Sequence, residues 1–230
     1  MKYSLLLFDI DNTIFDFFKA SRTALRLTCN NLEITYTKDY YDNYWIPVNH
    51  DVWELYEQNK IDSDTLRHER FRQFFELIGA EANQHRASEI YNEYLSEKVY
   101  LIEHAEIVLE QLSSHCTMVA VTNGMAEIQH RRLEKSGLRK YFKTIIISDE
   151  VGVAKPHPEI FRFAMQVGEE SDKSRVLMIG DNPIADIKGA TDFGLDTCLY
   201  KYSGDEREVI TKPTFTINCL TKLPGIIKNS

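Results

Sequence analysis

From about residue 102 onward, short apolar runs alternate with helical segments of roughly 10–15 residues. The runs are Thr117–Val121, Thr144–Ile147, Arg175–Ile179 and a shorter one near Thr197–Tyr200. Strands that alternate with helices form a parallel sheet with right-handed crossover connections. The apolar stretch within Met1–Phe8 predicts a further buried strand of this sheet. The sequence therefore predicts an α/β fold with a Rossmann-like parallel sheet core.

The region between the first two predicted strands is helical in character and rich in aromatic residues. We predict helices at Asp16–Asn30, Asp51–Asn59, Ser63–Leu77 and Ala87–Tyr100. A crossover between parallel strands takes about a dozen residues, whereas roughly 100 residues separate these two strands. We therefore expect a helical cap domain at residues 15–100, inserted into a catalytic core that consists of residues 1–14 and 101–230.

Proline and glycine predict where the helices of the alternating part begin and end. Pro158 suits the first turn of a helix, and Gly168 is expected to end that helix. Gly137 and Gly194 are expected to end two other helices. Glycine serves there because it adopts the left-handed conformation that commonly follows the last helical turn.

Composition and charge exclude several classes of function. The net charge is −8 and there is no long Lys/Arg run, which argues against binding to a nucleic acid polymer. No apolar run approaches the ~20 residues of a membrane span, and the N-terminal apolar stretch stops at Asp9, too early for a signal peptide. The 4 cysteines are scattered without a Cys-x-x-Cys pair, which predicts neither a disulfide framework nor a zinc site. We expect a cytoplasmic protein with no membrane partner.

Polar side chains follow the end of each predicted strand. In chain order they are Asp9, Asp11 and Thr13, then Thr122, Asn123 and Gly124, then Lys155 before Pro156, and finally Gly180, Asp181 and Asn182 with Asp186. Because the carboxyl ends of parallel strands meet in one crevice, we expect these residues to lie together. Two aspartates at the end of a buried strand are costly to desolvate without a cation. Metal-assisted chemistry is therefore the first hypothesis.

Each of these residues also has an ordinary structural explanation. The Asp9–Thr13 segment has the composition of a surface turn, and Thr122 suits the cap of a helix. Lys155 suits a solvated loop, and Asp186 suits the first turn of a helix. Their joint occurrence at four strand ends favours a functional site.

The order and spacing of these residues resemble the four motifs of the haloacid dehalogenase superfamily of phosphotransferases. The matching positions are Asp9-Ile10-Asp11-Asn12-Thr13, Thr122, Lys155 before Pro156, and Gly180-Asp181 with Asp186. The resemblance covers nearly the whole chain, including the helical insertion after the first motif. It implies a phosphatase that acts on a small phosphate monoester with Mg²⁺ as its cofactor.

The resemblance implies catalytic and metal-binding roles for the acidic residues. Asp9 would attack phosphorus and form an aspartyl-phosphate. Asp11 would protonate the leaving oxygen and later take a proton from the attacking water. Mg²⁺ would bind Asp9, the main-chain carbonyl of Asp11, and Asp181. Asp186 would orient metal-bound waters or neighbouring groups without binding the metal.

The resemblance also implies which residues hold the substrate phosphate. Thr122 and the amides near Asn123 and Gly124 would bind phosphoryl oxygens, and Lys155 would offset charge between Asp9 and the phosphate. Four carboxylates and a phosphate dianion carry a formal charge of about −6, of which Lys155 returns only +1. Mg²⁺ and one proton on Asp11 would bring the site to about −2, a charge that amides and a helix N-terminus hold more easily.

Several segments resemble bacterial house-cleaning pyrimidine 5′-nucleotidases. They are Val48–Tyr56 and Leu66–Phe71 in the cap, and Gly137–Phe142 and Glu150–Pro156 in the core. This resemblance implies hydrolysis of ribo- and deoxyribonucleoside monophosphates, including non-canonical pyrimidines. Aromatic side chains of the cap suit stacking on a base, although most aromatics of a small helical module fill its core. Candidate base contacts are Trp53, His50, His68 and Arg67.

Alternatives remain open on sequence alone. A sugar-phosphate phosphatase would use the same catalytic residues, and a phosphomutase shares both the second aspartate and a helical cap. A non-catalytic phosphate-binding relative would be expected to lack at least one of Asp9, Asp11, Lys155 or Asp181, and all four are present. A dehalogenase is disfavoured because its chemistry does not call for an acid at position 11. The insertion also predicts that cap opening and closing would admit substrate and exclude water.

Overall fold

The structure, a computed structural model, describes residues 1–58, 60–202 and 207–229. Within them, six strands form one parallel sheet. The strands are β1 (Leu5–Phe8), β2 (Thr117–Thr122), β3 (Thr144–Ile147), β4 (Val176–Gly180), β5 (Asp196–Tyr200) and β6 (Phe215–Ile217). Their order is β3-β2-β1-β4-β5-β6, so the direction of winding reverses at β1. The predicted Rossmann-like α/β fold is confirmed, and the crevice at the reversal lies at the carboxyl end of β1.

The chain separates into two compact units. One consists of Met1–Phe17 and Val99–Ser230, and the other of Phe18–Lys98. The helices of the inserted region are α1 (Phe17–Asn31), α2 (Ile46–Glu57), α3 (Ser63–Ile78) and α4 (Gln84–Glu97). These bounds lie near the predicted cap domain at 15–100, whose role as a cap stays a prediction.

Helix α2 begins earlier than its predicted start at Asp51. A π-helical segment, Tyr40–Trp45, leads directly into α2, and Pro47 lies in the first turn of α2. The prediction was therefore wrong at this end because no capping residue separates the two segments. The predicted last residue, Asn59, lies outside the described residues.

The core of the inserted unit is aromatic. The buried Trp45 ring lies 4.7 Å from the Phe71 ring, 5.6 Å from Phe74 and 5.0 Å from Tyr91, measured between centroids. These edge-on and tilted arrangements are the ones that aromatic pairs prefer. Several of the large rings of this unit, Trp45, Phe71 and Tyr91 among them, therefore fill its core.

The other unit contains the sheet and its covering helices. They are α5 (Ala105–Ser113), α6 (Ala126–Lys135), α7 (Ser148–Val151), α8 (Pro158–Gly168), α9 (Gly189–Phe193) and α10 (Leu223–Asn229), with a π-helical turn, Pro183–Lys188, before α9. Helices α5, α7 and α10 and strand β6 are not predicted from the sequence. Among the described helices, none is long and apolar enough to cross a membrane.

Both faces of the sheet are buried, as the continuous apolar run of β1 predicts. Leu6 and Phe8 belong to an apolar cluster with residues of α5 and α10. Leu5 and Leu7 face the opposite cluster, with residues of α8. Asp9, the next residue, therefore lies at the end of a strand that has no access to water on either face.

Gly168 does not end α8 in the predicted way. The left-handed residue after this helix is Glu169, with φ 57°, whereas Gly137 and Gly194 are left-handed as predicted. Gly168 is required for a different reason. A Cβ atom built there would lie 2.6 Å from Cδ2 of Leu5 in β1. The absence of a side chain at position 168 therefore allows the close approach of α8 to the sheet.

We expect Gly168→Ala to lower the free energy of unfolding by about 1–3 kcal/mol, because the added methyl group overpacks the contact with Leu5. Gly225→Ala is the matched control, since a Cβ atom in α10 at that position meets nothing within 4 Å. Urea unfolding of both variants measures the difference. Equal stability of the two variants would contradict the close approach as the reason for Gly168.

Candidate active site

A single buried lysine joins the residues at the strand ends. The Nζ atom of Lys155 donates hydrogen bonds to Oδ1 of Asp9 at 2.6 Å, Oδ1 of Asp186 at 2.7 Å and the main-chain oxygen of Val121 at 2.8 Å. An ammonium group has three donors, so all of them are used. The Lys155 side chain is only 2% exposed, and a carboxylate–ammonium contact is strong in such a dry site.

Three carboxyl groups gather around this lysine. Asp9, Asp181 and Asp186 each offer an oxygen within 4.8 Å of the others, and all three residues are buried. Burial, with the charges of Asp186 and Asp181, raises the pKa of Asp9 well above its ordinary value, although Lys155 opposes this. Burial and the charge of Asp186 raise the pKa of Asp181 to about 7. The cluster therefore favours any added cation that can replace bound protons.

The lysine itself carries its charge firmly. Burial alone would lower the pKa of Lys155, but the charges of Asp186 and Asp9 outweigh burial and raise the pKa above its ordinary value. Lys155 therefore remains a cation at the centre of the cluster.

The donor set fits a hard divalent cation. Carboxylate oxygens are the ligands that Mg²⁺ prefers. Here three carboxyl groups converge, and the pKa values of two of them, Asp9 and Asp181, are raised. Asp186 already accepts from Lys155 and, through Oδ2, from the main-chain N–H of Asn182 at 3.0 Å. Both carboxyl oxygens of Asp186 are therefore held by protein donors.

Arg207 is a contact that sequence reasoning missed. Its Nη2 atom donates to Oδ2 of Asp181 at 2.8 Å and to the main-chain oxygen of Asp181 at 2.9 Å. This cation lowers the pKa of Asp181 against the larger effect of burial. Nothing in the sequence around position 207 signals the contact, because it belongs to none of the strand ends.

Asn123 fixes the backbone of Lys155. Its Nδ2 atom donates to the main-chain oxygen of Lys155 at 2.9 Å, and the Lys155 N–H donates to Oδ1 of Asn123 at 2.8 Å. The two hydrogen bonds form a clamp between the end of β2 and the loop that carries the lysine. The side chain of Asn123 therefore positions Lys155.

Thr122 lies at the end of β2 with its hydroxyl directed into a hydrogen-bond network. Its Oγ1 atom accepts from the Gly124 N–H and from Nε2 of Gln129, both at 3.1 Å. A hydroxyl that accepts twice still has its own O–H to donate. The Gly124 amide, predicted to hold a phosphoryl oxygen, is bonded here to Thr122.

Asp11 lies apart from the three clustered carboxyl groups. Its Oδ1 atom accepts from Nη1 of Arg132 at 2.5 Å, and its Oδ2 atom accepts from Nε2 of Gln129 at 2.6 Å. The sequence analysis missed both partners. The available signal was weak: two polar residues three positions apart on α6, a spacing that puts them on one helix face.

The candidate base contacts lie in the inserted unit. Trp53 is half-buried and packs edge-on against Tyr56, whereas His50 is exposed beside Asp51. The His68 ring lies 4.1 Å from that of His85, between centroids. A role in base recognition for Trp53, His50, His68 or Arg67 stays a prediction.

Comparison with known proteins identifies the family. A model described as haloacid dehalogenase-like hydrolase matches residues 6–200, so the chain belongs to this family. The resemblance seen in the sequence is confirmed. Pyrimidine 5′-nucleotidase YjjG of Escherichia coli (strain K12) is 33% identical over 227 residues, which cover 99% of each chain. Pyrimidine 5′-nucleotidase PynA of Streptococcus pneumoniae is 32% identical over 94% of this chain and 92% of its own.

A solved structure supports the same family assignment. The crystal structure of the HAD-hydrolase YfnB from Bacillus subtilis, bound to magnesium, matches with a TM-score of 0.91 at 33% identity. The match covers 99% of this chain and 100% of that chain. Similarity of this extent includes the helical insertion as well as the sheet.

We expect Lys155→Met to lower the free energy of unfolding of the metal-free protein by about 3–5 kcal/mol, because it leaves buried carboxyl groups without their cation. Lys143→Met is the matched control, since Lys143 forms an exposed pair with Glu169 and should cost less than about 1 kcal/mol. Urea unfolding in the presence of EDTA measures both. A loss at position 155 no larger than at position 143 would contradict the central role of Lys155.

Proposed function

We propose that this protein is a Mg²⁺-dependent phosphatase that hydrolyses pyrimidine nucleoside 5′-monophosphates. The observation that carries the proposal is the buried cluster of Asp9, Asp181 and Asp186 around Lys155, in a chain similar over its whole length to two named pyrimidine 5′-nucleotidases. In this proposal the enzyme is a phosphoric monoester hydrolase. Its setting is a reduced cytoplasm, with which the 4 free cysteines agree.

The metal would be held by Asp9, Asp181 and the main-chain carbonyl of Asp11. When bound, Mg²⁺ supplies positive charge that offsets the phosphate dianion and the carboxylates. The observed contacts of Asp186 with Lys155 and the Asn182 amide support a role in orienting its neighbours. Burial, together with the crowding of three acids, raises the pKa values of Asp9 and Asp181, which is itself a reason to expect a cation here.

In the first chemical step, a carboxylate oxygen of Asp9 forms a bond to phosphorus while the ester P–O bond breaks. The departing oxygen takes a proton from Asp11 and leaves as the nucleoside hydroxyl. The phosphoryl group then resides on Asp9 as an aspartyl-phosphate. Thr13 helps to fix the nucleophile, because its hydroxyl donates to Oδ2 of Asp9 at 3.2 Å.

In the second step, water attacks phosphorus and the bond between Asp9 and the phosphoryl group breaks. Asp11, now ionised, takes the proton from that water, so inorganic phosphate leaves and both aspartates return to their starting forms. The net reaction consumes one phosphate ester and one water and yields one alcohol and one phosphate.

The phosphoryl oxygens would be held by residues at the end of β2. Thr122 has its O–H to donate. The amides near Asn123 and Gly124 would hold further phosphoryl oxygens, for which the Gly124 N–H would exchange its hydrogen bond with Thr122 for one with the phosphate. Lys155 uses all three of its donors on protein oxygens, which supports its role as a fixed charge between Asp9 and the phosphate. Fixed charges of this kind stabilise a transition state without reorganisation.

We expect wild-type protein to release phosphate from UMP, dUMP and dTMP in the presence of Mg²⁺, and to stop when EDTA is added. Asp9→Asn should reduce release by at least about 1000-fold, because an amide is not a nucleophile toward phosphorus. Asp192→Asn is the matched control, since Asp192 forms an exposed pair with Lys188. Purine monophosphates and several sugar phosphates complete the panel.

Each outcome of this panel decides between the open alternatives. Turnover confined to sugar phosphates would keep the phosphatase and reject the nucleotidase. Formation of an isomeric sugar phosphate without net phosphate release would indicate a phosphomutase. Absence of turnover on all substrates by folded protein would favour a non-catalytic phosphate-binding protein. Substantial phosphate release by Asp9→Asn would exclude Asp9 as the nucleophile.

We expect Asp181→Asn to weaken Mg²⁺ binding at least about tenfold, because it removes one of few charged ligands. Isothermal titration calorimetry without substrate measures the affinity directly, and pH 8 is chosen because burial raises the pKa of Asp181 to about 7. Asp192→Asn again serves as the control and should bind Mg²⁺ as the wild type does. Unchanged affinity of Asp181→Asn would show that the metal lies elsewhere.

A further inference from the structure

Two residues of α6 hold the carboxyl group of Asp11 from both sides. Arg132 donates to Oδ1 at 2.5 Å, and Gln129 donates to Oδ2 at 2.6 Å. The Asp11 side chain is 27% exposed, whereas the Arg132 side chain is completely buried. Asp11 therefore faces open space on one side and a rigid pair of donors on the other.

Arg132 is unusual because it has so few partners for a buried guanidinium. Its Nε and Nη2 atoms are buried and have no hydrogen-bond partner among the described residues. Its Cζ atom lies 4.5 Å from the centroid of the Phe15 ring. A buried charge with unsatisfied donors is costly, so packing alone gives little reason for an arginine here. The ion pair with Asp11 is the interaction that uses its charge.

Gln129 connects Asp11 to the predicted phosphate-binding residue Thr122. Its Nε2 atom donates to both residues, at 2.6 Å and 3.1 Å, while its Oε1 atom accepts from Nη1 of Arg132 at 3.3 Å. Gly124 makes room for this side chain, since a Cβ atom at position 124 would lie 2.2 Å from Nε2 of Gln129. The loop at Gly124 therefore packs directly against the side-chain amide of Gln129 in α6.

The turn that carries Asp11 also contacts Arg132, through Phe15. The N–H groups of Ile14 and Phe15 donate to the main-chain oxygen of Ile10 at 2.9 and 3.0 Å, and the Asn12 N–H donates to that of Phe15 at 2.7 Å. Phe15 therefore closes the turn with its backbone while its ring packs against Arg132. The backbone and side chain of Asp11 are fixed by one connected group of residues.

We propose that Arg132 and Gln129 are positioning residues that hold the carboxyl group of Asp11 in the orientation in which it reaches the ester oxygen. The inference rests on the proposed phosphatase activity and deepens it. As the ester P–O bond breaks, the proton of Asp11 passes to the leaving oxygen and the carboxyl group becomes a carboxylate. Because Arg132 and Gln129 hold one oxygen each, the carboxyl group is fixed in position when this transfer takes place.

The dependence of rate on the leaving group tests this role. A poor leaving group, such as the alcohols of UMP and benzyl phosphate, needs a proton from Asp11, whereas p-nitrophenolate departs without much help. We expect Arg132→Met to lower kcat/KM about 10–100-fold for UMP and benzyl phosphate, but less than about threefold for p-nitrophenyl phosphate. The ratio kcat/KM is used because it reports only steps up to departure of the alcohol.

Matched variants separate this role from a structural one. Arg131→Met changes the neighbouring exposed arginine of α6 and should leave all three rates unchanged. Gln129→Leu should also lower the rates on UMP and benzyl phosphate more than the rate on p-nitrophenyl phosphate, on top of a loss shared by all three esters, because it removes the hydrogen bond to Thr122 as well. Arg132→Lys should restore part of the rate on UMP. These two variants carry the test if Arg132→Met does not fold.

The outcomes separate this inference from the proposed function. An equal loss on all three esters, or no loss, would overturn the inference while leaving the phosphatase intact. Failure of the wild type to release phosphate from any ester would overturn the proposed function and this inference with it.

Discussion

The ion cluster around Lys155 is the interaction on which the rest of the site depends. One ammonium group bonds to Asp9 after β1, to the Val121 carbonyl within β2 and to Asp186 after β4. It therefore ties together the three strands that meet where the sheet order reverses. Removing a charged partner from such a buried group leaves uncompensated charge, which is far more costly than losing an exposed pair. The clamp by Asn123 shows that the lysine backbone is fixed as well.

The carboxyl groups of the site lie in two different environments. Asp9 and Asp181 lie in a crowd of acids, and their pKa values are raised by burial and mutual repulsion. Asp11 lies instead between two donors of α6, one of them a buried cation. The first environment suits groups that bind a cation, whereas the second fixes the position of the Asp11 carboxyl group. The same short segment after β1 thus supplies two chemically distinct acids.

The parts that sequence predicted are those governed by local pattern and sheet geometry. Buried parallel strands appear as apolar runs, which is why β3 was found with its observed bounds and why Asp9, Lys155, Asp181 and Asp186 were expected together. Arg132 and Gln129 were missed because polar residues on a helix have the same pattern as a solvated face. Only packing reveals that they point inward, toward a residue more than 100 positions away. The three-residue strand β6 is too short to give a periodic signal.

The choice of substrate depends on residues outside this shared machinery. In the proposed mechanism, Asp9, Asp11, Lys155 and Asp181 would serve the reaction at phosphorus, so they would distinguish a nucleotide from a sugar phosphate poorly. In the inserted unit, Trp45 and the rings around it pack in the core. Trp53 is half-buried and is therefore more accessible to a ligand than Trp45. The argument for a pyrimidine substrate is therefore carried by similarity that extends through this unit. An identity of 33% over 227 residues, spanning 99% of both chains, includes the helices in which base recognition would lie.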